Sequence, residues 1–152
     1  MAANPLHKAV IAAMPLMPRP LIWRFSRRYI AGTDLADAYR AVAELNELGC
    51  TGTIDVLGED IDSEEQVNAA LELYREALEG IRDSELRCGI SVKLSELGLR
   101  FDMDGCRAAM RSLLESARKH GSFVRIDMED SSVTDATLEI YREMREEYDR
   151  VG

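Results

Sequence analysis

Hydrophobic and polar positions from Thr33 onward switch repeatedly between helical and strand periodicity. Four segments carry apolar residues three or four positions apart, which predicts helices over about Thr33–Leu48, Ser63–Ile81, Gly105–His120 and Ser132–Tyr148. Three short β-rich runs lie between them, at Thr51–Leu57, Cys88–Leu94 and Ser122–Met128. The chain ends where a fourth strand is expected, at Val151–Gly152. This order predicts parallel strands joined by right-handed helical crossovers.

The spacing between strands is regular. Asp55 and Lys93, near the ends of the first two runs, are 38 residues apart, and Lys93 and Asp127 are 34 apart. Such regularity predicts an α/β fold, but it suits both an open doubly wound sheet and a barrel.

Side-chain alternation favours the barrel. In the second strand Ile90 and Val92 share one face, while Ser91 and Lys93 share the other. A central strand of an open sheet is covered by helices on both faces and should be apolar on both. A barrel strand instead turns one face to helices and the other to a lumen that opens into an active site. We therefore predict part of a (β/α)8 TIM barrel, with about three βα units over residues 33–152, preceded by a helical lead-in over residues 1–32.

Four charged residues form the candidate site. Asp55, Lys93, Arg125 and Asp127 are predicted on the lumen side, and active sites of such barrels lie at the carboxyl ends of the strands. A lysine there can bind a carboxylate or phosphate as a point charge. An aspartate can orient the lysine, accept a proton or hydrogen-bond a cofactor. The alternative is an ion-pair network that only neutralises itself.

The charge of the chain limits the kinds of molecule that it is expected to bind. The net charge of −9 argues against nucleic acid, which requires a basic footprint. Residues 1–31 contain five basic and no acidic side chains, so the remaining residues carry −14. A basic, acid-free N-terminus fits a transit peptide or a surface for anionic lipid. Pro15, Pro18 and Pro20 would break a long amphipathic helix there, which favours a structural helix region with solvent-facing arginines.

Cysteine and histidine usage predicts no metal site. The three cysteines, Cys50, Cys88 and Cys106, show no CxxC spacing, and their odd number fits a reducing compartment. Cys50 and Cys88, just before two strands, are expected to be buried packing residues. The two histidines add no zinc-ligand pattern.

Two motifs carry a family resemblance. Ile90–Leu99 (ISVKLSELGL) and Val124–Ser131 (VRIDMEDS) resemble the second- and third-strand motifs of bacterial monofunctional proline dehydrogenases. Thr53–Glu59 resembles the family's first strand and Tyr29–Gly32 its lead-in. The resemblance runs from about Pro18 to the last residue.

The resemblance implies an FAD enzyme that oxidises L-proline to Δ1-pyrroline-5-carboxylate and passes electrons to a membrane quinone. Lys93 would pair with the proline carboxylate, Asp127 would be the catalytic aspartate beside the flavin, and Met128 would contact the flavin. Glu59 resembles an acidic residue that helps to close the site, and Asp55 and Arg125 would support it. A cytoplasmic location, with peripheral contact to the inner membrane, follows from the quinone.

The chain departs from the family in length. A complete barrel needs eight units and about 250 residues. The later segments, which should hold most flavin contacts and the arginines that clamp the substrate carboxylate, have no counterpart in the sequence. We therefore expect a truncated piece that is inactive alone. Two alternatives stay open: a half-barrel binding or assembly module that self-associates through its open edge, and a different barrel enzyme with a Schiff-base lysine.

Overall fold

The computed structural model describes residues 18, 24, 30–56, 58 and 61–152. The predicted lead-in over 1–32 therefore lies almost wholly outside the described residues. The compact unit over 35–152 has the following helices and strands: α1 (Leu35–Glu47), β1 (Gly52–Asp55), α2 (Glu64–Asp83), β2 (Cys88–Lys93), α3 (Met103–His120), β3 (Val124–Asp127) and α4 (Thr134–Glu147). A short 3₁₀ turn, Leu94–Leu97, follows β2 directly.

The sheet is parallel, with strand order β1-β2-β3. Each strand pairs with the next one along the chain, as in a barrel, and the strand order does not reverse among these three strands. Val151 forms a parallel bridge to Val124, and the Val124 amide donates to Arg150 O at 3.0 Å. Residues 150–152 therefore pair in parallel with β3, at the place where the repeat predicts a fourth strand.

Local capping sets the helix starts. Ser63–Gln66 (SEEQ) has the sequence pattern of a capping box. The Ser63 hydroxyl accepts from the Gln66 amide, as this pattern predicts, and the Gln66 side-chain oxygen accepts from the Asp62 amide at 2.8 Å. α3 begins at Met103, two residues before the predicted start, because Asp102 caps it by accepting from the Gly105 amide at 2.9 Å.

Ser132–Asp135 (SVTD), at the start of α4, has the sequence pattern of a capping box, which predicts that Ser132 caps the helix, and the structure shows that this prediction is wrong. Val133 is the N-cap and makes no side-chain capping bond. Asp130 instead accepts from the amide of Ser132 at 2.8 Å and from its hydroxyl. The carboxylate two residues upstream captures the serine in a local turn, so the serine is not available to the helix.

The apolar face of the sheet packs on the helices, which confirms the predicted alternation. The buried hydrophobic strand residues are Ile54, Ile90, Val92 and Val124, and the largest buried helix residues are Tyr74, Leu78, Met110, Leu113, Ile140 and Met144. Burying each aliphatic side chain contributes roughly 1.5–3 kcal/mol. The interpretation of Cys50 as buried is wrong, since its side chain is exposed, and Cys88 is half-buried. Among the described residues, no helix combines the length and apolarity needed to span a membrane.

Candidate active site

Three acidic or basic residues end the three strands. Asp55, Lys93 and Asp127 are the last residues of β1, β2 and β3. Lys93 and Asp127 are direct partners in the β2–β3 register, whereas the register partner of Asp55 is Ser91. Parallel pairing brings their side chains to one edge of the sheet, as the sequence predicts.

Lys93 forms an ion pair with Asp55. Its Nζ donates to Asp55 Oδ2 at 2.7 Å, and both side chains are about one-third exposed. Partial burial disfavours the ammonium, but the hydrogen bond to Asp55 and the charges of Asp55, Glu96 and Asp127 outweigh it, so the pKa of Lys93 is raised. Lys93 is therefore a cation at neutral pH, with two further N–H donors for another anion.

Asp127 forms the second centre of charge. Its Oδ1 accepts from Arg125 Nε at 2.7 Å and its Oδ2 from Ser91 Oγ at 2.6 Å. Burial alone would favour the acid, but the hydrogen bonds from Arg125 and Ser91 and the charges of Arg125 and Lys93 prevail, so the pKa of Asp127 is lowered. Asp127 is an anion at neutral pH, which suits charge stabilisation better than proton abstraction, since a general base works best near its operating pH.

Ser91, on β2, hydrogen-bonds to both members of the Arg125–Asp127 ion pair, a role that the sequence pattern did not predict. It is fully buried, donates to Asp127, and accepts from Arg125 Nη2 at 3.0 Å. The alternation that places Ser91 on the face of Lys93 was the available signal. Ser91 lies beside Arg125 and Asp127 of β3, and its small hydroxyl fits between these two longer side chains.

Glu96, in the 3₁₀ turn after β2, was also missed. It is 2% exposed, and its carboxylate accepts from the Tyr74 hydroxyl at 2.6 Å and from the Gly58 amide at 3.1 Å. Burial raises the pKa of Glu96, although the hydrogen bonds from Tyr74 and Gly58 act in the opposite direction. The position of Glu96 within the Ile90–Leu99 motif was the available signal in the sequence. Its partners could not be predicted, because they are distant along the chain.

Glu129 plays the corresponding part between β2 and β3. One oxygen accepts from the Ser95 amide at 3.1 Å and the other from the Ser95 hydroxyl. Arg100 lies 4.0 Å from Glu129 and forms a shorter ion pair with Asp130. Asp130 therefore belongs to the turn ahead of α4, whereas Glu129 makes a contact with the segment that follows β2.

The remaining predicted residues are placed differently. Met128 directly follows β3 and is 52% exposed, on the same edge of the sheet as Asp127. Glu59 lies outside the described residues. The structure therefore brings together Asp55, Lys93, Arg125 and Asp127 as two ion pairs, of which the Arg125–Asp127 pair is also hydrogen-bonded to the buried Ser91.

Parallel strands in sequential order, with their charged residues at the carboxyl ends, define the class: a segment of a (β/α) barrel with its candidate site at the carboxyl edge of the sheet. The family model described as proline dehydrogenase matches residues 38–151. The chain belongs to the proline dehydrogenase family.

Individual relatives agree. The chain is 35% identical over 127 residues to proline dehydrogenase 1 of Bacillus subtilis, covering 84% of this chain and 42% of that protein. It is 30% identical over 135 residues to proline dehydrogenase of Deinococcus radiodurans, covering 87% and 44%. The chain thus spans less than half the length of these curated relatives.

A solved structure shows the fold. Proline utilization A (PutA) from Bdellovibrio bacteriovorus, inactivated by N-propargylglycine, superposes with a TM-score of 0.70 at 22% identity. The match covers 78% of this chain and 15% of that one. The predicted partial barrel is confirmed.

Proposed function

We propose that these strand ends form part of a site that oxidises L-proline to Δ1-pyrroline-5-carboxylate. Family membership supports the reaction, and one observation supports the site: Lys93 is held protonated by Asp55 while keeping donors for a second anion. The described residues supply three strands of the eight that close a barrel. Substrate carboxylate binding is therefore proposed for this chain, and turnover for the complete site.

Lys93 would bind the proline carboxylate as a point charge. Asp55 keeps the ammonium at the edge of the sheet, so the substrate carboxylate would share the lysine and not replace Asp55. Asp127, ionised and held by two donors, would stabilise the positive charge that develops at the ring nitrogen as the C–N bond gains double-bond character. Arg125 and Ser91 fix its position.

FAD is the proposed cofactor. Bound there, the flavin would accept the hydride, which is chemistry no side chain supplies. Two features fit it: the exposed Met128 offers an apolar contact beside Asp127, and the half-exposed Arg125 offers a cation to an electron-rich ring edge. A quinone is the proposed final acceptor, and a cytoplasmic location with peripheral membrane contact is proposed with it.

The Schiff-base alternative is disfavoured. A nucleophilic lysine must lose its proton, and such lysines have a lowered pKa from burial or a neighbouring cation. Lys93 has an aspartate at 2.7 Å and a raised pKa.

The test is a ligand titration of the 152-residue chain followed by NMR. L-Proline should shift the signals of Lys93 and its neighbours, whereas pyrrolidine, which has the ring but no carboxylate, should not. Lys93→Met should abolish the response. Equal shifts from both ligands, or none from proline, would reject Lys93 as the carboxylate partner. Dye-linked proline oxidation by the isolated chain with added FAD is expected to be absent, and turnover there would show that three strands suffice.

A further inference from the structure

A second contact accompanies the Lys93–Asp55 ion pair at the β1–β2 junction. Lys93 bonds to Asp55, and Glu96, three residues after Lys93, accepts from the amide of Gly58, three residues after Asp55. Both contacts join residues 38 positions apart. These two contacts continue the association of β1 with β2 past the last backbone hydrogen bonds between the two strands.

Glu96 is well placed to hold this junction rigidly. Its side chain is almost fully buried, and Tyr74 of α2, itself fully buried, donates to its other oxygen at 2.6 Å. The carboxylate is thus fixed from the helix layer and presents its remaining oxygen to the backbone that follows β1. A hydrogen bond from a backbone amide to a buried carboxylate is stronger than one between neutral groups.

We propose that Glu96 is a positioning residue that anchors the backbone after β1 and thereby holds Asp55 against Lys93. The inference rests on the proposed function only in giving Lys93 the substrate carboxylate as its second partner. Glu96 does not touch that substrate in this account. It acts through Gly58 and Asp55, and it fixes where the lysine ammonium points.

Two near-isosteric variants separate geometry from charge. Glu96→Gln removes the charge and keeps a carbonyl acceptor, and Glu96→Met fills the same space but accepts no hydrogen bond. Amide exchange should be about tenfold faster at Gly58 in the Met variant than in the Gln variant, as expected for the loss of one hydrogen bond. The amides of Ile90 and Val92, within the β2 ladder, should exchange equally in both.

Titration of Lys93, followed by the NMR signal of its terminal carbon, is the second readout. Both variants lose the same charge. A difference in the pKa of Lys93 between them therefore reports how firmly Asp55 is positioned beside the lysine. The pKa of Lys93 should be lower in the Met variant than in the Gln variant. Equal Gly58 exchange and equal Lys93 titration in the two variants would overturn the proposal.

A matched pair at the neighbouring junction serves as the control. Glu129→Gln and Glu129→Met alter the β2–β3 contact with Ser95, and neither should change the Gly58 amide. If the Glu96→Met chain fails to fold, Tyr74→Phe replaces it as the test. This variant removes one hydrogen bond to the Glu96 carboxylate, so the Gly58 amide should exchange faster. Unchanged protection of the Gly58 amide would overturn the proposal. These measurements contain no proline, so their failure leaves the proposed function to its own titration.

Discussion

Asp55 lies opposite Ser91 in the strand register, yet its carboxylate bonds to Lys93, two residues further along β2. The ion pair therefore leans past the end of β1 toward the carboxyl edge of the sheet. The lysine is drawn toward β1 and away from Asp127, its own register partner on β3. The four charged residues therefore form two separate ion pairs, Lys93–Asp55 and Arg125–Asp127, and not one cluster.

Asp55→Asn should lower the pKa of Lys93, because the variant loses both the hydrogen-bonded charge and its attraction for the ammonium. The stability contributed by the pair is fully present below the unfolded lysine pKa, about 10.4, and is lost as pH rises through the raised folded value. At neutral pH the loss should be about 0.2–1 kcal/mol, since both side chains are partly exposed. Lysine-selective NMR titration and urea unfolding check these results. Asp135→Asn, in the first turn of α4, should leave the Lys93 titration unchanged.

Ser91→Ala should raise the pKa of Asp127 toward its ordinary value, because one of the two hydrogen bonds that favour the carboxylate is removed. We expect a loss of about 1–3 kcal/mol in the free energy of unfolding, since the buried hydroxyl serves two charged partners. The Asp127 contribution is present above the unfolded pKa and declines as pH falls through the lowered folded value. Carboxyl-carbon NMR gives the pKa, and urea unfolding gives the stability.

Ser116→Ala is the matched control for Ser91. The Ser116 hydroxyl donates only to the Ser112 carbonyl one turn earlier in α3. Its removal should change the free energy of unfolding by no more than a few tenths of a kcal/mol, because such back-bonding does not stabilise a helix. Equal losses from the two serine variants would contradict the role given to Ser91.

Tyr74→Phe should raise the pKa of Glu96 further, because the hydroxyl is a donor that favours the carboxylate. Glu96 has a raised folded pKa, so its contribution is greatest below the unfolded value and falls as pH rises through the folded one. The variant should accordingly lose more stability at pH 7, about 1.5–3 kcal/mol for a bond to a charged group, than near pH 4. Unfolding curves of both proteins at the two pH values measure the difference.

Tyr39→Phe tests whether that pH dependence belongs to Glu96. The Tyr39 hydroxyl donates to the backbone carbonyl of Glu76 at 3.1 Å, an acceptor that does not titrate. Its loss of stability should be the same at pH 4 and pH 7. A pH-independent loss in Tyr74→Phe as well would show that the charge on Glu96 does not matter.

Gly89→Ala should destabilise the β2–β3 junction. A methyl group at Gly89 would lie 2.5 Å from the carbonyl oxygen of Phe123, which is backbone and cannot rotate away. Separating the strands should cost about 1–3 kcal/mol or more, measured by urea unfolding. Gly52→Ala offers the comparison, because its methyl group would meet a Val42 side-chain carbon at 3.4 Å. A smaller change is expected there.

Much of the fold could be predicted because it depends on short-range periodicity. The apolar positions of β2 and the stripe of α2 are repeated often enough to give element types and order. Boundaries were less predictable where side chains compete for the same backbone groups. Asp130 captures Ser132 ahead of α4, and Asp102 starts α3 early, and neither competition is visible in a pattern of apolar residues.

By itself the sequence determined the strand–helix repeat, the barrel, and the charged strand ends at Lys93 and Asp127, since each follows from alternation along a single segment. Only the tertiary structure decided which charges pair. Asp55 is bonded to Lys93, and Asp127 is bonded to Arg125 and Ser91. The buried Glu96 accepts hydrogen bonds from Tyr74 and Gly58. Except for Arg125 and Asp127, which are two residues apart on β3, these partners lie on segments more than 20 residues apart, so the pairing depends on the register and reach between those segments. No local pattern in the chain encodes a distance across the sheet edge.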